Sequence, residues 1–225
     1  ATNVTMWDGQ AALLSDNWRV LRYDQRGHGR TEVTAPPYSF DQLGDDVVAL
    51  WDELGVKRSV FCGLSMGGTT GLGLALNHDD RLAAFIGCDL RCESAPAFSA
   101  AWDERIATDL TAHRWFTEKF YSNPANAPVM DKIKGMIRTT PLDGFIGCAN
   151  ALQDIQYQTR LDRITVPTLF ICGEFDPAAN PDYIRPMQAA VPGAELHVVP
   201  DAGHISNMEN PDSFNQGLTD FLNRL

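Results

Sequence analysis

The chain has 225 residues, 44% of them hydrophobic, and a net charge of −11, which gives enough apolar material for a full core and excludes a disordered tail or a collagen-like repeat. An isoelectric point near 4.7 argues against nucleic acid as a main partner, and no apolar run reaches the roughly 18 residues of a membrane span, so no membrane partner is expected. Five cysteines, at 62, 88, 92, 148 and 172, form no CxxC pair, which excludes a zinc ribbon, reads as buried thiols and fits a reducing compartment.

Along the chain, a helix is expected from near Thr5. Residues 19–24, RVLRYD, read as a short strand ending in the polar, Gly-rich turn 25–30. Residues 40–54 put Leu43, Val47, Leu50, Trp51 and Leu54 on a helical stripe, and Gly55 stops it. A buried strand is expected at 59–62 and a closely packed, small-residue helix at 66–77. Further strands are expected at 82–88, 168–172 and 195–199. Residues 212–225 close the chain as an amphipathic helix with Phe214, Leu218, Phe221 and Leu222 on one face.

Strands alternating with helices predict a parallel sheet covered on both sides, an α/β fold. The stretch 93–163 breaks the rhythm. It has helical periodicity and several prolines, and it carries Trp102, Trp115, Phe116, Phe120 and Tyr121. It reads as a helical insertion over one end of the sheet. The expected organisation is one domain, 1–225, with a core at 1–92 and 164–225 and a helical cap at 93–163.

The strongest local signal is Gly63-Leu64-Ser65-Met66-Gly67, between a predicted strand and a predicted helix. A strand that turns at once into a helix strains the Ser backbone and brings the residues two before and two after it together, where Gly fits. The turn lifts the hydroxyl clear of the sheet, beside the unpaired N–H groups and positive dipole end of the helix. Ser65 is therefore the candidate nucleophile and the Met66 N–H the candidate oxyanion donor.

A serine needs a base, and the base an orienting acid, in the chain order Ser, acid, His. His28 precedes the serine and reads as a turn residue, His78 as a helix cap, and His113 as an insertion residue. His197 lies within a strand, committed to one face. His204 follows the last strand in Asp201-Ala202-Gly203-His204 and can reach over the sheet edge, so it is the candidate base. The preceding strand runs into Gly173-Glu174-Phe175-Asp176-Pro177. Asp176 is the preferred acid, because its shorter side chain suits a fixed bond to imidazole. Glu174 is the reserve. Gly71-Leu72-Gly73 lies inside a helix rather than at a strand exit, so no dinucleotide cofactor is expected. Without HExxH or a Cys/His cluster, no metal is expected either.

Four stretches resemble the α/β-hydrolase family: Arg22-Tyr23-Asp24-Gln25-Arg26-Gly27-His28-Gly29, Gly63-Leu64-Ser65-Met66-Gly67-Gly68, Gly173-Glu174-Phe175-Asp176 and Ala202-Gly203-His204. Within it, Met6-Trp7-Asp8, Arg114-Trp115-Phe116-Thr117, residues 140–145 and residues 204–209 are similar to 3-oxoadipate enol-lactonases. The resemblance implies attack by Ser65 on a lactone or ester carbonyl, with His204 as base and Asp176 holding the imidazole. The Met66 N–H and a second N–H from an earlier loop would hold the oxyanion, and an acyl-enzyme would be hydrolysed by water. No cofactor is needed. It further implies a small lactone or ester substrate, foremost 3-oxoadipate enol-lactone, in cytoplasmic aromatic catabolism. A broader carboxylesterase, a carbon–carbon bond hydrolase, or a non-catalytic binder of this fold are the alternatives.

An enol-lactone of that kind carries a carboxylate, which needs a local cation. Arg114, Arg105, Arg91 and Arg138 are the candidates. Arg114 is favoured, with Trp115 and Phe116 as an apolar wall beside it. The resemblance also implies three strands ahead of the helix near Thr5, and that stretch does not precede Ala1 here. The sequence is thus expected to be shortened by on the order of 25–35 residues.

Overall fold

The computed structural model describes residues 1–94 and 112–225. A 3-10 turn at Val4–Trp7 leads into α1 (Asp8–Leu14), and α2 (Phe40–Glu53) is capped by the Ser39 hydroxyl, which accepts from the Gln42 N–H. Strand β1 (Ser59–Leu64) runs directly through Ser65 into α3 (Met66–Asn77), and β2 (Leu82–Cys88) follows. Helices α4 (Glu118–Tyr121), α5 (Ala127–Thr139) and α6 (Leu142–Gln153) precede β3 (Thr168–Gly173). Then come α7 (Pro181–Ala190), β4 (Glu195–Val199), α8 (Ser206–Glu209) and α9 (Pro211–Leu222).

The strands form a parallel sheet in the order β1-β2-β3-β4. Its register aligns Cys62 with Ile86, Ile86 with Leu169, and Leu169 with Glu195. Strand periodicity of two sorts the side chains between two cores. Phe61, Phe85, Phe170 and Cys172 face the core shared with α2, α3 and α7. Ala84, Ile86, Cys88, Leu169 and Ile171 face the core shared with Phe214, Leu218 and Phe221 of α9. Phe85 and Phe170 meet edge to face with centroids 6.2 Å apart. Both faces are thus covered, as a parallel sheet requires.

Residues 19–24 are not a strand. Their apolar pattern is β-like, but a ladder needs a hydrogen-bonded neighbour, and the described residues supply none. Trp18, Val20 and Leu21 are accordingly exposed. Strand β1 runs two residues beyond its expected end, to Leu64. Between β2 and β3 the described residues form helices and a single antiparallel bridge, Glu93 to Gln156, with no strand. Trp102, Arg105 and the His113 side chain lie outside the described residues. No described helix is long and apolar enough to cross a membrane.

Because the strands run parallel and adjacent, their C-terminal ends line one rim. The residues just beyond them converge there: Ser65 after β1, Asp89 after β2, Asp176 after β3 and His204 after β4. Open α/β sheets bind ligands at this carboxyl rim.

Candidate active site

The turn at Ser65 is tight because Ser65 alone separates β1 from α3. Ser65 takes φ 54° and ψ −116°, a conformation that costs a non-glycine residue on the order of 1–3 kcal/mol. The Ser65 N–H donates to the Cys88 carbonyl at 2.8 Å, so the turn is anchored to the end of β2. Gly63 is required by close approach, since a Cβ there would lie 2.3 Å from the Gly67 carbonyl oxygen. Gly67 is different from expectation. A Cβ there meets nothing within 4 Å, and the second crowded glycine is Gly68, against Leu90 and Gly63. The Met66 N–H sits in the first turn of α3, where N–H groups lack intrahelical acceptors and the dipole is positive.

The structure brings the three sequence candidates together. His204 Nε2 lies 2.9 Å from Ser65 Oγ, and His204 Nδ1 lies 2.8 Å from Asp176 Oδ2. The Asp176 side chain is fully buried and that of His204 is 13% exposed. Asp176 Oδ1 also accepts the Ala178 N–H at 2.8 Å, so the residue turns its own loop while facing the imidazole. Burial pushes the Asp176 carboxyl up. The charge and hydrogen bond of His204, with the Ala178 and Ala179 N–H groups, outweigh burial and hold it below the usual carboxylate range. The reserve acid, Glu174, is exposed and accepts the Asp201 N–H at 3.1 Å.

The other described histidines are placed elsewhere. His78 ends α3 and faces Asp45 at 3.3 Å. His197 Nε2 is 2.9 Å from the Ser213 carbonyl. His28 sits in the turn at 25–30, as expected, but is buried there, and burial chiefly pushes its pKa down to about 3. It is neutral at physiological pH.

A cavity opens over Ser65 and His204, with Trp7, Met66, Trp115, Phe145 and Leu152 among its walls. Of the expected substrate-binding trio, only Trp115 lines it. Arg114 is exposed and does not line the cavity, although the next residue, Trp115, is buried and does. Phe116 is buried in a stack with Phe120, centroids 5.0 Å apart. Arg138 is exposed, and Arg91 donates to the Ala178 carbonyl at 2.8 Å while lying 4.0 Å from the Tyr183 ring centre. No Arg or Lys is among the described lining residues.

Three buried acids escaped sequence reasoning, and one of them, Asp24, is 9% exposed and accepts the Val4 N–H at 2.7 Å. Asp89 follows β2 and is 1% exposed, and Glu209 ends α8 at 8%. The available signal for Asp89 was its position at the C-terminal end of a strand. Among the described residues no His, Cys, Asp and Glu group could hold a metal ion. A hydroxyl, an imidazole and a buried carboxylate in series, beside a helix N-terminus, can activate an oxygen nucleophile against a carbonyl carbon.

A family model described as alpha/beta hydrolase fold matches residues 1–211. The chain is 32% identical to 3-oxoadipate enol-lactonase 2 of Acinetobacter baylyi, over 99% of this chain and 85% of that protein. It is 28% identical to a putative carbamate hydrolase of Caulobacter segnis, over 98% of this chain and 87% of that protein. Among solved structures, the enol-lactonase from Burkholderia xenovorans LB400 superposes with a TM-score of 0.91 at 35% identity, over 99% of this chain and 87% of that one.

Proposed function

Because the chain belongs to the α/β-hydrolase fold family, we propose that it is a serine hydrolase opening a small lactone or ester, with 3-oxoadipate enol-lactone as its substrate. The observation that carries this reading is the continuous chain from Ser65 Oγ through His204 to buried Asp176. The enol-lactonase relatives support the choice of substrate.

In this mechanism His204 Nε2 takes the Ser65 proton as Oγ attacks the carbonyl carbon. Asp176 keeps the proton of the other ring nitrogen in place and stabilises the imidazolium. The Met66 N–H faces the developing oxyanion. The imidazolium then protonates the leaving enol oxygen, and the ring opens to an acyl-enzyme. Water activated by His204 releases the acid. Residues 93–163 serve as the cap, with Trp115 supplying part of the substrate wall, on a core of 1–92 and 164–225. Five free cysteines fit a cytoplasmic, reducing setting.

A second reading, a broader carboxylesterase, is favoured by one observation. The described cavity wall holds no Arg or Lys, includes the acid Asp24, and His28 in it is neutral, so an uncharged ester fits as readily as a carboxylate. Comparing kcat/KM for 3-oxoadipate enol-lactone with p-nitrophenyl acetate and butyrate decides the matter. The proposal expects the lactone to lead by at least about 100-fold, roughly 2.7 kcal/mol of transition-state preference. Equal values, or esters ahead, would replace the first reading by the second.

A further inference from the structure

Four hydrogen bonds join the segment at 115–117 to residues 204–209, and a fifth ties Glu209 back to Gly203 beside the base. The Trp115 carbonyl accepts the His204 N–H at 2.8 Å and the Ile205 N–H at 3.2 Å. Glu209 supplies the rest. Its Oε2 accepts the Gly203 N–H at 2.8 Å, and its Oε1 accepts both the N–H of Thr117, at 2.9 Å, and the Thr117 hydroxyl. The two segments touch so closely that a Cβ at Gly203 would lie 2.9 Å from the Trp115 carbonyl oxygen. Glycine at 203 is what permits the contact. Trp115 meanwhile lines the cavity with Ser65 and His204. A single buried carboxylate therefore spans the substrate wall and the base, with three donors on its two oxygens.

We propose that Glu209 is a positioning residue that couples the Trp115 wall to His204, so that the seating of the wall sets the reach of the imidazole to Ser65. This rests on Ser65 and His204 acting as nucleophile and base. Glu209 touches neither substrate nor reacting atoms. It acts through the Gly203 N–H, adjacent to the base, and through Thr117, two residues beyond the indole. Its burial gives it leverage, because a carboxylate shielded from water holds its donors without competition from solvent. The same segments are also joined outside by Lys119 and Asp201 at 3.1 Å, but that pair is exposed and contributes little.

Glu209→Gln keeps the volume and replaces one acceptor oxygen by a donor, so one arm of the clamp meets donor against donor. The test compares this variant, Lys119→Ala and Ser65→Ala with the full chain, using p-nitrophenyl acetate turnover and a fluorophosphonate probe. For Glu209→Gln the expected results are kcat lowered about tenfold, KM within about twofold, and the labelling rate per site lowered in step, with every folded molecule still labelled. Lys119→Ala is expected to match the wild type. Unchanged kcat in Glu209→Gln overturns the coupling. So does activity lost only in proportion to unlabelled, unfolded protein, with an unchanged rate per labelled site. Full turnover by Ser65→Ala would instead overturn the underlying serine mechanism.

Discussion

Asp89 and Ser206 meet at 2.5 Å between carboxyl and hydroxyl oxygens, both side chains buried at 1% and 0% exposure. The other Asp89 oxygen accepts the Gly173 N–H at 2.8 Å. One acid thus ties the end of β2 to the end of β3, three residues before Asp176, and to the first residue of α8, two beyond His204. Burial first, and the nearby charge of Asp176 second, push the Asp89 carboxyl well above its ordinary 3.8.

That state predicts a pH-dependent stability. In the unfolded chain Asp89 loses its proton above about pH 4, while the folded protein keeps it. The folded state then binds more protons, so this residue erodes stability as pH rises towards its folded pKa. Asp89→Asn keeps an acceptor for Gly173 and offers Ser206 a donor without this erosion. Urea unfolding at pH 4, 6 and 8 should show the variant gaining on the wild type as pH rises. A gap that is constant or narrows would mean that Asp89 is ionised in the fold.

Gly63 and Gly67 should respond oppositely to alanine. At Gly63 the new Cβ meets the Gly67 carbonyl at 2.3 Å, forcing the turn apart at a cost of at least about 2 kcal/mol and with loss of activity. At Gly67 the space is open and the backbone is helical, so alanine should be neutral or stabilise by up to about 1 kcal/mol. Thermal unfolding of the two variants checks this.

Asp176→Asn should lower kcat by about 10³–10⁴ while leaving KM nearly unchanged, because it spoils imidazole orientation rather than binding. Glu174→Gln should leave kcat within about twofold, since that side chain is exposed and bonds Asp201. The sign of the pH effect also follows. The Asp176 carboxyl is held below 3.8 in the fold, so its stabilising charge is fully present above about pH 4 and is lost as pH falls through the lower folded value. Acid unfolding of Asp176→Asn should lack this component.

The wall predicts a split between neighbours. Trp115→Ala opens the cavity and should raise KM for p-nitrophenyl butyrate by about tenfold, one lost apolar contact surface. Arg114→Ala should change KM by less than about twofold for anionic and neutral substrates alike, because its side chain is exposed and does not line the cavity. A larger effect on an anionic lactone would restore Arg114 to the site.

What could be read from sequence was what local pattern decides. Helix α3 and strand β2 have the expected bounds, since periodicity, the elbow glycines and the apolar run coincide there. Ser65, Asp176 and His204 were legible because each sits in a short turn just after a strand. Residues 19–24 were not, because a strand is a pair property and the apolar pattern says nothing of a partner. Glu209 and Asp89 were hidden for a related reason: an acid looks solvated until the fold brings N–H groups to it. The place of Arg114, exposed and outside the cavity wall while Trp115 and Phe116 are buried, was not legible either, because three consecutive residues carry no signal of which side chain faces the site.

The central claim is covalent chemistry at Ser65. Mass spectrometry of peptides after a fluorophosphonate reaction tests it directly. The account predicts one adduct, on Ser65, with turnover lost in proportion to labelling, and no adduct in Ser65→Ala or after denaturation. An adduct on another residue, or turnover that persists when Ser65 is fully labelled, would contradict it.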